Sequence, residues 1–221
     1  MNYIDSICEE RKILEKIKNN ILDAKILMYE TYKNKNKILL CGNGGSSADS
    51  GHIMAELMKS FKLKRTIDLS LNSKIQKEIN KISEKRTDFS LTEKHKEFIE
   101  IIEQGLPTID ITAFKELNTA FSNDKNSDYI FANTVAGLGS ENDLFLAIST
   151  SGNSENVINA CIMAKAKDMR VVALLGKEGG VIKDIADVSI IVPLNETHKI
   201  QEEHIAIYHA ICLQIEEEFF N

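Results

Sequence analysis

The sequence predicts an α/β protein with a doubly wound, five-stranded parallel sheet, and two observations carry this prediction. Five short runs rich in valine, isoleucine and leucine recur along the chain without strict alternation, which is typical of strands covered on both faces. Helical patterns lie between these runs, so β and α segments alternate as in doubly wound sheets. Because such sheets bind ligands at the carboxyl ends of their strands, candidate functional residues are expected there.

The first and last segments predict long helices. Over residues 1–34 apolar side chains recur every three or four positions and mark one stripe, whose members are Ile4, Ile7, Leu14, Ile17, Ile21 and Met28. Either the rest of the domain or a partner subunit must cover this stripe, and the sequence leaves both possibilities open. Residues 198–220 repeat the pattern, with a stripe formed by Ile200, His204, Ile207, Ile211 and Ile215. On that stripe His204 is expected to be a hydrogen-bonded core histidine.

The strand candidates lie between these helices. They are KILLCG (37–42), LPTIDIT (106–112), DLFLAIS (143–149), RVVALLG (170–176) and VSIIVP (188–193). Further helices are predicted over 154–168 and in the N-terminal half of 177–187.

Residues 61–105 interrupt the alternation, because they are strongly charged and contain no strand candidate. They predict a helical insertion within the domain, with helices over about 73–85 and 91–104. The second helix opens with the capping-box pattern Ser90-Leu91-Thr92-Glu93 and ends before Gly105 and Pro107.

Composition predicts a single domain spanning residues 1–221 and excludes several protein classes. The sequence is 43% apolar and 27% charged, which does not fit a disordered, fibrous or membrane-spanning protein. A formal charge of −6 argues against a nucleic-acid-binding protein. No signal-peptide pattern and no span-length apolar stretch occur. The four scattered cysteines form no C-x-x-C pair, so buried free thiols and a cytoplasmic location are expected.

The loop CGNGGSSADS follows the first strand candidate. It has no P-loop lysine, and Ser47 stands where a dinucleotide fingerprint has its third glycine, so neither motif fits. What remains is a strand–loop–helix junction whose glycines let backbone N–H groups approach a ligand, with Asn43 able to donate and accept. A tight turn that needs only glycine geometry is the alternative.

A second loop, Ser149-Thr150-Ser151-Gly152-Asn153-Ser154, follows the strand candidate 143–149 and precedes a helix. Its four hydroxyls, together with the first N–H groups and the dipole of that helix, favour an anion. An ordinary N-cap is the alternative, but a cap needs only one hydroxyl. With no nucleotide signature, the two loops predict a site for a small phosphate ester.

Two groups of residues could supply acid–base chemistry or bind a metal. His52 and Glu56 are spaced i, i+4 and share one helix face, while Gln201 and His209 lie on the last helix. Two imidazoles, a carboxylate and an amide could bind Zn²⁺, although a surface contact is the alternative for an isolated His/Glu pair. Since eight helical residues span about 12 Å, Gln201 and His209 can share an ion readily only if the helix begins near or after Gln201.

As an ordered set, these motifs resemble one family. CGNGGS, His52…Glu56, Asn123-Asp124, STSGNS and IQEEHIAIYH occur in the order seen in bacterial phosphoheptose isomerases of the sugar isomerase (SIS) superfamily. The resemblance covers the chain except about 61–105. It implies a SIS-type, flavodoxin-like fold and conversion of sedoheptulose 7-phosphate to D-glycero-D-manno-heptose 7-phosphate. It also implies one zinc ion per subunit and a homotetramer with active sites between subunits.

The resemblance also implies roles for individual residues. The phosphate would be held by Ser149, Thr150, Ser151 and Ser154. The sugar site would be lined by Asn43, Gly44, Gly45, Asn123, Asp124 and Gln201, together with Glu56. The zinc ligands would be His52, Glu56, Gln201 and His209, with Glu56 and His209 also serving as the base and acid of an enediol mechanism.

Three features depart from the family pattern. Ser60 stands where the family usually has a basic residue, His198 replaces an acidic residue ahead of the IQE stretch, and the segment 61–105 begins beside the helix that carries Glu56. These departures affect the identity of the sugar substrate more than the type of reaction. An isomerase for another sugar phosphate is therefore an alternative. A non-catalytic sugar-phosphate sensor or scaffold is a second alternative, but it would not need both Glu56 and His209.

Overall fold

The computed structural model describes residues 2–86 and 93–221 and contains the predicted five-stranded parallel sheet. The strands are β1 (Ile38–Cys41), β2 (Thr108–Asp110), β3 (Leu144–Ser149), β4 (Arg170–Gly176) and β5 (Val188–Val192). Their order across the sheet is β2-β1-β3-β4-β5, and each neighbouring pair is parallel. This is the flavodoxin-like order, so the predicted fold class is confirmed.

Helices cover both faces of this sheet. In chain order they are α1 (Tyr3–Glu10), α2 (Lys18–Lys33), α3 (Gly45–Met58), α4 (Leu69–Lys85), α5 (Glu93–Ile101), α6 (Lys115–Asp124), α7 (Ile130–Leu138), α8 (Glu155–Ala166), α9 (Ile182–Ile185) and α10 (Thr197–Phe220). Short 3-10 turns occur at Lys12–Ile17, Ile111–Ala113 and Ser127–Tyr129.

Each face of the sheet has its own apolar core, because successive strand residues point to opposite sides. Leu40 and Leu146 pack with α1, α2, α3 and α10, whereas Leu39 and Phe145 pack with α7, α8 and α9. Burial on both faces explains why the strands read as continuous apolar runs. All four cysteines are unpaired and buried, as expected. In the described parts of the chain, no helix has the length and apolarity needed to cross a membrane.

The N-terminal segment is not the single helix expected over residues 1–34. Arg11 leaves the helical region with φ −117° and ψ 83°, so that α1 and α2 are separate helices joined by a 3-10 turn. The break lets α1 lie along α10, where Arg11 forms a 2.9 Å ion pair with Glu203, while α2 covers the sheet. Periodicity does not detect this break because neither proline nor glycine marks it, and Ile4, Leu14, Ile21 and Met28 are all buried in the chain's own core.

Two further helix predictions need correction. In residues 177–187 the helix is α9, in the C-terminal half of the segment, because Lys177, Gly179 and Gly180 adopt positive φ angles of 54°, 83° and 56° and form a turn. Within 61–105 both predicted helices exist, but α4 begins earlier, at Leu69, and α5 ends earlier, at Ile101. The predicted capping box falls mainly outside the described residues.

The base of the segment 61–105 is closed by backbone pairing. Thr66 and Glu103 form an isolated antiparallel bridge, and the Gln104 N–H donates to the Arg65 carbonyl at 3.0 Å. Leu106 N–H then donates to the Leu57 carbonyl at the end of α3. The segment therefore leaves and rejoins the domain beside the C-terminus of α3.

His204 is the core histidine that the apolar stripe of α10 predicts. Its side chain is fully buried, and its Nε2–H donates to the Leu175 carbonyl at 2.9 Å. Burial lowers the pKa of His204 from 6.5 to about 4, although the hydrogen bond to Leu175 opposes this shift. The ring is therefore neutral in the folded protein at neutral pH.

The lowered pKa predicts a loss of stability in acid. Below about pH 6.5 the unfolded chain binds a proton at His204 that the folded chain does not bind. The free energy of unfolding should therefore fall by about 2 kcal/mol between about pH 7.5 and pH 5 from this residue alone. Urea unfolding at both pH values should show that His204→Met loses this component, whereas the control His198→Met, at an exposed position of α10, keeps it. Equal pH dependence in all three proteins would contradict the assignment.

Candidate active site

The glycine loop connects β1 to α3 and requires glycine for close approach. Gly44 has φ 55° at the N-cap of α3, and a Cβ on Gly42 would lie 2.6 Å from Ser46. A Cβ on Gly45 would overlap Nε2 of Gln201, so the side chain of Gln201 lies directly against this loop. The structure thus brings Gln201 to the glycine loop across the sequence.

The hydroxyl loop lies between β3 and α8 and is held by its own side chains. Ser149 Oγ accepts from the Gly152 N–H at 3.2 Å and lies 3.1 Å from Ser154 Oγ. Ser151 Oγ accepts from the Asn153 N–H at 3.2 Å. Gly152 has φ 66°, a conformation that favours glycine. The hydroxyls of this loop are therefore gathered around one turn.

Ser154 occupies the N-cap position of α8, but its side chain makes no capping hydrogen bond. The Ser154 hydroxyl therefore does not act as an ordinary N-cap of α8. The N-terminal N–H groups and the dipole of a helix favour an anion. Thr150 and Ser151 are half-buried on the same turn, and together these groups suit a phosphate.

Two asparagines join the glycine loop to the hydroxyl loop. Asn43 Nδ2 donates to Asn156 Oδ1 at 2.8 Å, and Asn156 Nδ2 donates back to Asn43 Oδ1 at 3.0 Å. Because Asn156 is in the first turn of α8, this reciprocal pair places the two loops side by side. Both amides are at the carboxyl edge of the sheet, where α/β proteins bind ligands.

The candidate acid–base residues meet where α3 and α10 face each other. Glu56 Oε1 lies 3.2 Å from His52 Nε2, and Glu56 Oε2 lies 3.2 Å from Lys59 Nζ. The rings of His52 and His209 are edge to face, with centroids 4.9 Å apart. Only 11% of the Glu56 side chain is exposed, against 43% for His52. The fold therefore assembles His52, Glu56 and His209 from two distant parts of the chain.

A second layer of polar contacts orients His52. The Tyr208 hydroxyl donates to Asp49 Oδ1 at 3.5 Å and lies 2.9 Å from His52 Nδ1. The Tyr208 hydroxyl and the Glu56 carboxylate therefore contact the two ring nitrogens of His52 and fix the orientation of its ring. Burial raises the pKa of Asp49 to about 6, against the effects of Tyr208 and His52, which lower it.

His209 is kept neutral by its surroundings. Burial lowers its pKa and nearby His52 adds to this effect, while Glu56 opposes it. Its Nε2 is buried and has no hydrogen-bond partner among the residues that the structure describes. A neutral imidazole with an unpaired buried nitrogen is suited to bind a metal or to polarise a carbonyl group.

Among the described residues, no group of three or more His, Cys, Asp or Glu side chains is arranged to hold a metal ion. Gln201 lies against Gly45, and α10 begins at Thr197, one turn before Gln201. Gln201 and His209 are therefore eight residues apart within one helix, the less favourable case for sharing an ion. The donor types nevertheless suit zinc, and His209 Nε2 is a potential donor atom that no other described residue uses.

The sequence matches a known family model over most of its length. Residues 2–101 and 96–176 match the SIS domain model. The chain belongs to the SIS family. This membership and the flavodoxin-like sheet agree with the fold that the sequence predicts.

Relatives of this SIS chain are phosphoheptose isomerases. It is 37% identical to that of Nitratiruptor sp. over 208 residues, which cover 94% of this chain and 91% of the relative. It is 36% identical to that of Aliarcobacter butzleri over 207 residues, covering 94% and 89%. The solved phosphoheptose isomerase from Neisseria gonorrhoeae has a TM-score of 0.72 at 31% identity and covers 96% of this chain and 94% of its own. The predicted family is confirmed.

Two predicted residues of the SIS protein stand apart from the assembled groups. Asn123 and Asp124 are exposed at the end of α6, and the Asn123 side chain donates to Asp124 at 2.9 Å. Among the described residues, neither side chain forms a hydrogen bond or ion pair with the glycine loop, the hydroxyl loop or His209. His198 is also exposed, 3.5 Å from Glu196 at the start of α10.

Sequence reasoning missed several residues of the SIS site. Asn156 contacts Asn43 and Tyr208 contacts His52, while Asp49 accepts from Tyr208. Asp49 lies three residues before His52 on the same helix face and so had a positional signal, whereas Tyr208 had none. Lys59 contacts Glu56 and lies next to Ser60, where the basic residue of the family is absent. A basic group therefore reaches Glu56 from the adjacent position.

Proposed function

We propose that this SIS protein is an aldose–ketose isomerase that converts sedoheptulose 7-phosphate to D-glycero-D-manno-heptose 7-phosphate. The observation that carries the proposal is the approach of both Glu56 and His209 to the ring of His52, where α3 faces α10, beside two loops suited to a phosphorylated sugar. The names of the relatives, all phosphoheptose isomerases, support the same reaction.

The reaction moves protons without any net exchange of electrons with another molecule. Glu56 removes a proton from C1 of the ketose while His209 donates a proton to the C2 oxygen, and an enediol forms. His209 then recovers a proton from the C1 hydroxyl as Glu56 returns its proton to C2, which yields the aldose. In this proposal the neutral imidazole of His209 also hydrogen-bonds and polarises the carbonyl group.

Substrate binding is assigned to three parts of the site. Ser149, Thr150, Ser151 and Ser154 hold the phosphate at the N-terminus of α8, which favours an anion. The glycine loop, with Asn43, Gly44 and Gly45, lines the sugar together with Gln201. The assignment of Asn123 and Asp124 to the sugar site rests on the resemblance alone.

Zinc is part of the proposal. The ligands would be His52, Glu56, Gln201 and His209, and the ion would stabilise negative charge on the sugar oxygens. His52 Nε2 lies 3.2 Å from the Glu56 carboxylate, so two of the proposed ligand atoms are adjacent in the folded chain. The unpartnered Nε2 of His209 supports the same assignment.

Removal of one ligand should weaken zinc binding. His209→Gln is expected to lower zinc affinity by about 10-fold or more, measured by competition with a chromogenic chelator. His198→Gln is the matched control, because His198 is an exposed histidine on the same helix. Equal zinc affinity in both variants and the parent would contradict a role for His209 in metal binding.

A homotetramer is also proposed, and it rests on the resemblance and on one surface of the chain. A groove of about 540 Å³ lies between α1 and α10, and His209 lines it with Ile205, which is 39% exposed. A neighbouring subunit in this groove would lie beside the acid–base residues. Light scattering at several protein concentrations measures the assembly. The cytoplasmic location stays a prediction from the sequence.

The deciding experiment follows sedoheptulose 7-phosphate by NMR with the purified protein, in zinc-supplemented and chelated samples. Formation of the heptose aldose supports the proposal, and loss of turnover on chelation supports the zinc assignment. If other ketose phosphates turn over but this one does not, the alternative sugar is correct. Binding by calorimetry without any turnover would favour the sensor or scaffold.

A further inference from the structure

A buried carboxylate on α10 organises the segment that follows α3. Glu216 is 1% exposed, and its oxygens accept from the backbone N–H groups of Phe61, Lys62 and Leu63 at 2.7–3.1 Å. They also accept from Arg65 Nε at 2.8 Å. Burial raises the pKa of Glu216, but these four donors outweigh it and bring the pKa below its usual value. The carboxylate is therefore ionised at neutral pH.

Its partner, Arg65, is fully buried and reaches the end of the helix that carries the predicted base. Arg65 Nη1 donates to the Leu57 carbonyl at 2.6 Å, and Nη2 donates to the Glu56 carbonyl at 3.0 Å. The last carbonyl groups of a helix have no partner within the helix, so the guanidinium caps α3. The Arg65 cation also lies 4.8 Å from the ring centroid of Phe220 at the end of α10.

The pair touches both sides of the candidate acid–base site. On one side Arg65 fixes the backbone of Glu56 itself. On the other side Glu216 holds the backbone of Phe61, whose ring lies 5.4 Å from the ring of His209. Glu216 is also seven residues after His209, two turns along the same helix face. One ion pair therefore connects the two segments that must face each other.

We propose that Arg65 and Glu216 are positioning residues that set the placement of the Glu56 carboxylate relative to the His209 ring. This inference rests on the proposed isomerase function, although its structural part is independent of the sugar. Only arginine among the basic side chains can bind a carboxylate and two carbonyl groups through one planar fork. Lysine would keep the charge but would lose the bonds that cap α3.

The alternative is that the pair only stabilises the fold. A buried ion pair is weak evidence for stability, since apolar residues can often replace it without loss. A purely structural role predicts that activity falls only in proportion to the unfolded fraction. A positioning role predicts a fall in kcat in protein that remains fully folded, because a misplacement of about 1 Å costs about 100-fold in rate.

Arg65→Lys is the test variant, and Lys25→Met is the matched control. Lys25 of α2 forms a 2.8 Å ion pair with Glu218 of α10. This ion pair also joins α10 to another helix, but it does not involve α3. At a temperature where both variants are folded by circular dichroism, Arg65→Lys should lower kcat about 10- to 100-fold with KM within about 2-fold. Lys25→Met should keep kcat within about 2-fold of the parent.

A second readout separates this inference from the proposed function. In protein with ¹³C-labelled histidine, Arg65→Lys should shift or broaden the His209 ring signal, and Lys25→Met should leave it unchanged. If the parent does not turn over sedoheptulose 7-phosphate, the proposed function fails and the ring signal alone decides the positioning role. An unchanged His209 signal in folded Arg65→Lys, or an unchanged kcat, would overturn the inference. If Arg65→Lys does not fold, the same measurements on Glu216→Gln decide.

Discussion

Glu56→Gln is expected to lower kcat of the isomerisation by about 10²- to 10⁴-fold, the usual contribution of a positioned general base. The amide has nearly the shape of the carboxylate but cannot accept the C1 proton. Because the phosphate is assigned to the hydroxyl loop, the affinity for sedoheptulose 7-phosphate should change only a few-fold. The parent and the variant are compared by NMR turnover and by calorimetric titration with the same sugar phosphate.

A control variant and a second measurement test whether Glu56→Gln acts on the proton transfer itself. Glu84→Gln removes an exposed carboxylate on α4 and should leave kcat unchanged. Exchange of the C1 proton with deuterated solvent reports the base step directly and should be lost in Glu56→Gln. The zinc content of each protein is measured in parallel, because Glu56 is also a proposed ligand. Retention of proton exchange in the zinc-loaded variant would contradict the assignment of Glu56 as the base.

Gly152→Ala is expected to have the largest effect on the fold and on phosphate binding. Gly152 has φ 66°, and an added Cβ would overlap the Gly179 carbonyl oxygen in the turn that precedes α9. A non-glycine residue held in a sparsely populated backbone region costs about 1–3 kcal/mol, and the overlap with backbone adds to this. We expect the free energy of unfolding to fall by about 3 kcal/mol or more and the phosphate affinity to fall with it.

Gly137→Ala is the matched control for this change. Gly137 lies within α7, and a Cβ there would meet no atom within 4 Å. Alanine should therefore leave stability unchanged or raise it by up to about 1 kcal/mol. Urea unfolding and calorimetric titration with inorganic phosphate measure both variants. If Gly152→Ala were as stable as the parent, the contact between the hydroxyl loop and the Gly179 turn would not be needed for the fold.

The sequence predicts the sheet well because burial on both faces leaves a strong signal. Leu39 and Leu40 point to opposite cores, so the run that contains them is apolar throughout. The break at Arg11 leaves no such signal, because it depends on how α1 meets α10. The helix predicted in the N-terminal half of 177–187 is wrong because Gly179 and Gly180 form a turn there, and paired glycines favour a turn.

The sequence predicts which residues form the candidate site, but it does not predict the contacts between them. Motif order places His52, Glu56 and His209 in one site, and the structure brings these three together. Asn156 and Tyr208 carry no local signature, because their contacts join segments more than a hundred residues apart. Arg65 is also hidden in the sequence, since it lies in a run of charged residues typical of a solvated surface.

The bridge between Thr66 and Glu103 makes the length of the segment 61–105 independent of the architecture of the domain. Both ends of the segment meet at one point, so the enclosed chain can lengthen or shorten without moving its anchor. Closing a longer loop costs little, about 0.6 kcal/mol for each doubling of its length. A change in the length of the chain between Thr66 and Glu103 should therefore cost little, because the bridge keeps both ends in place.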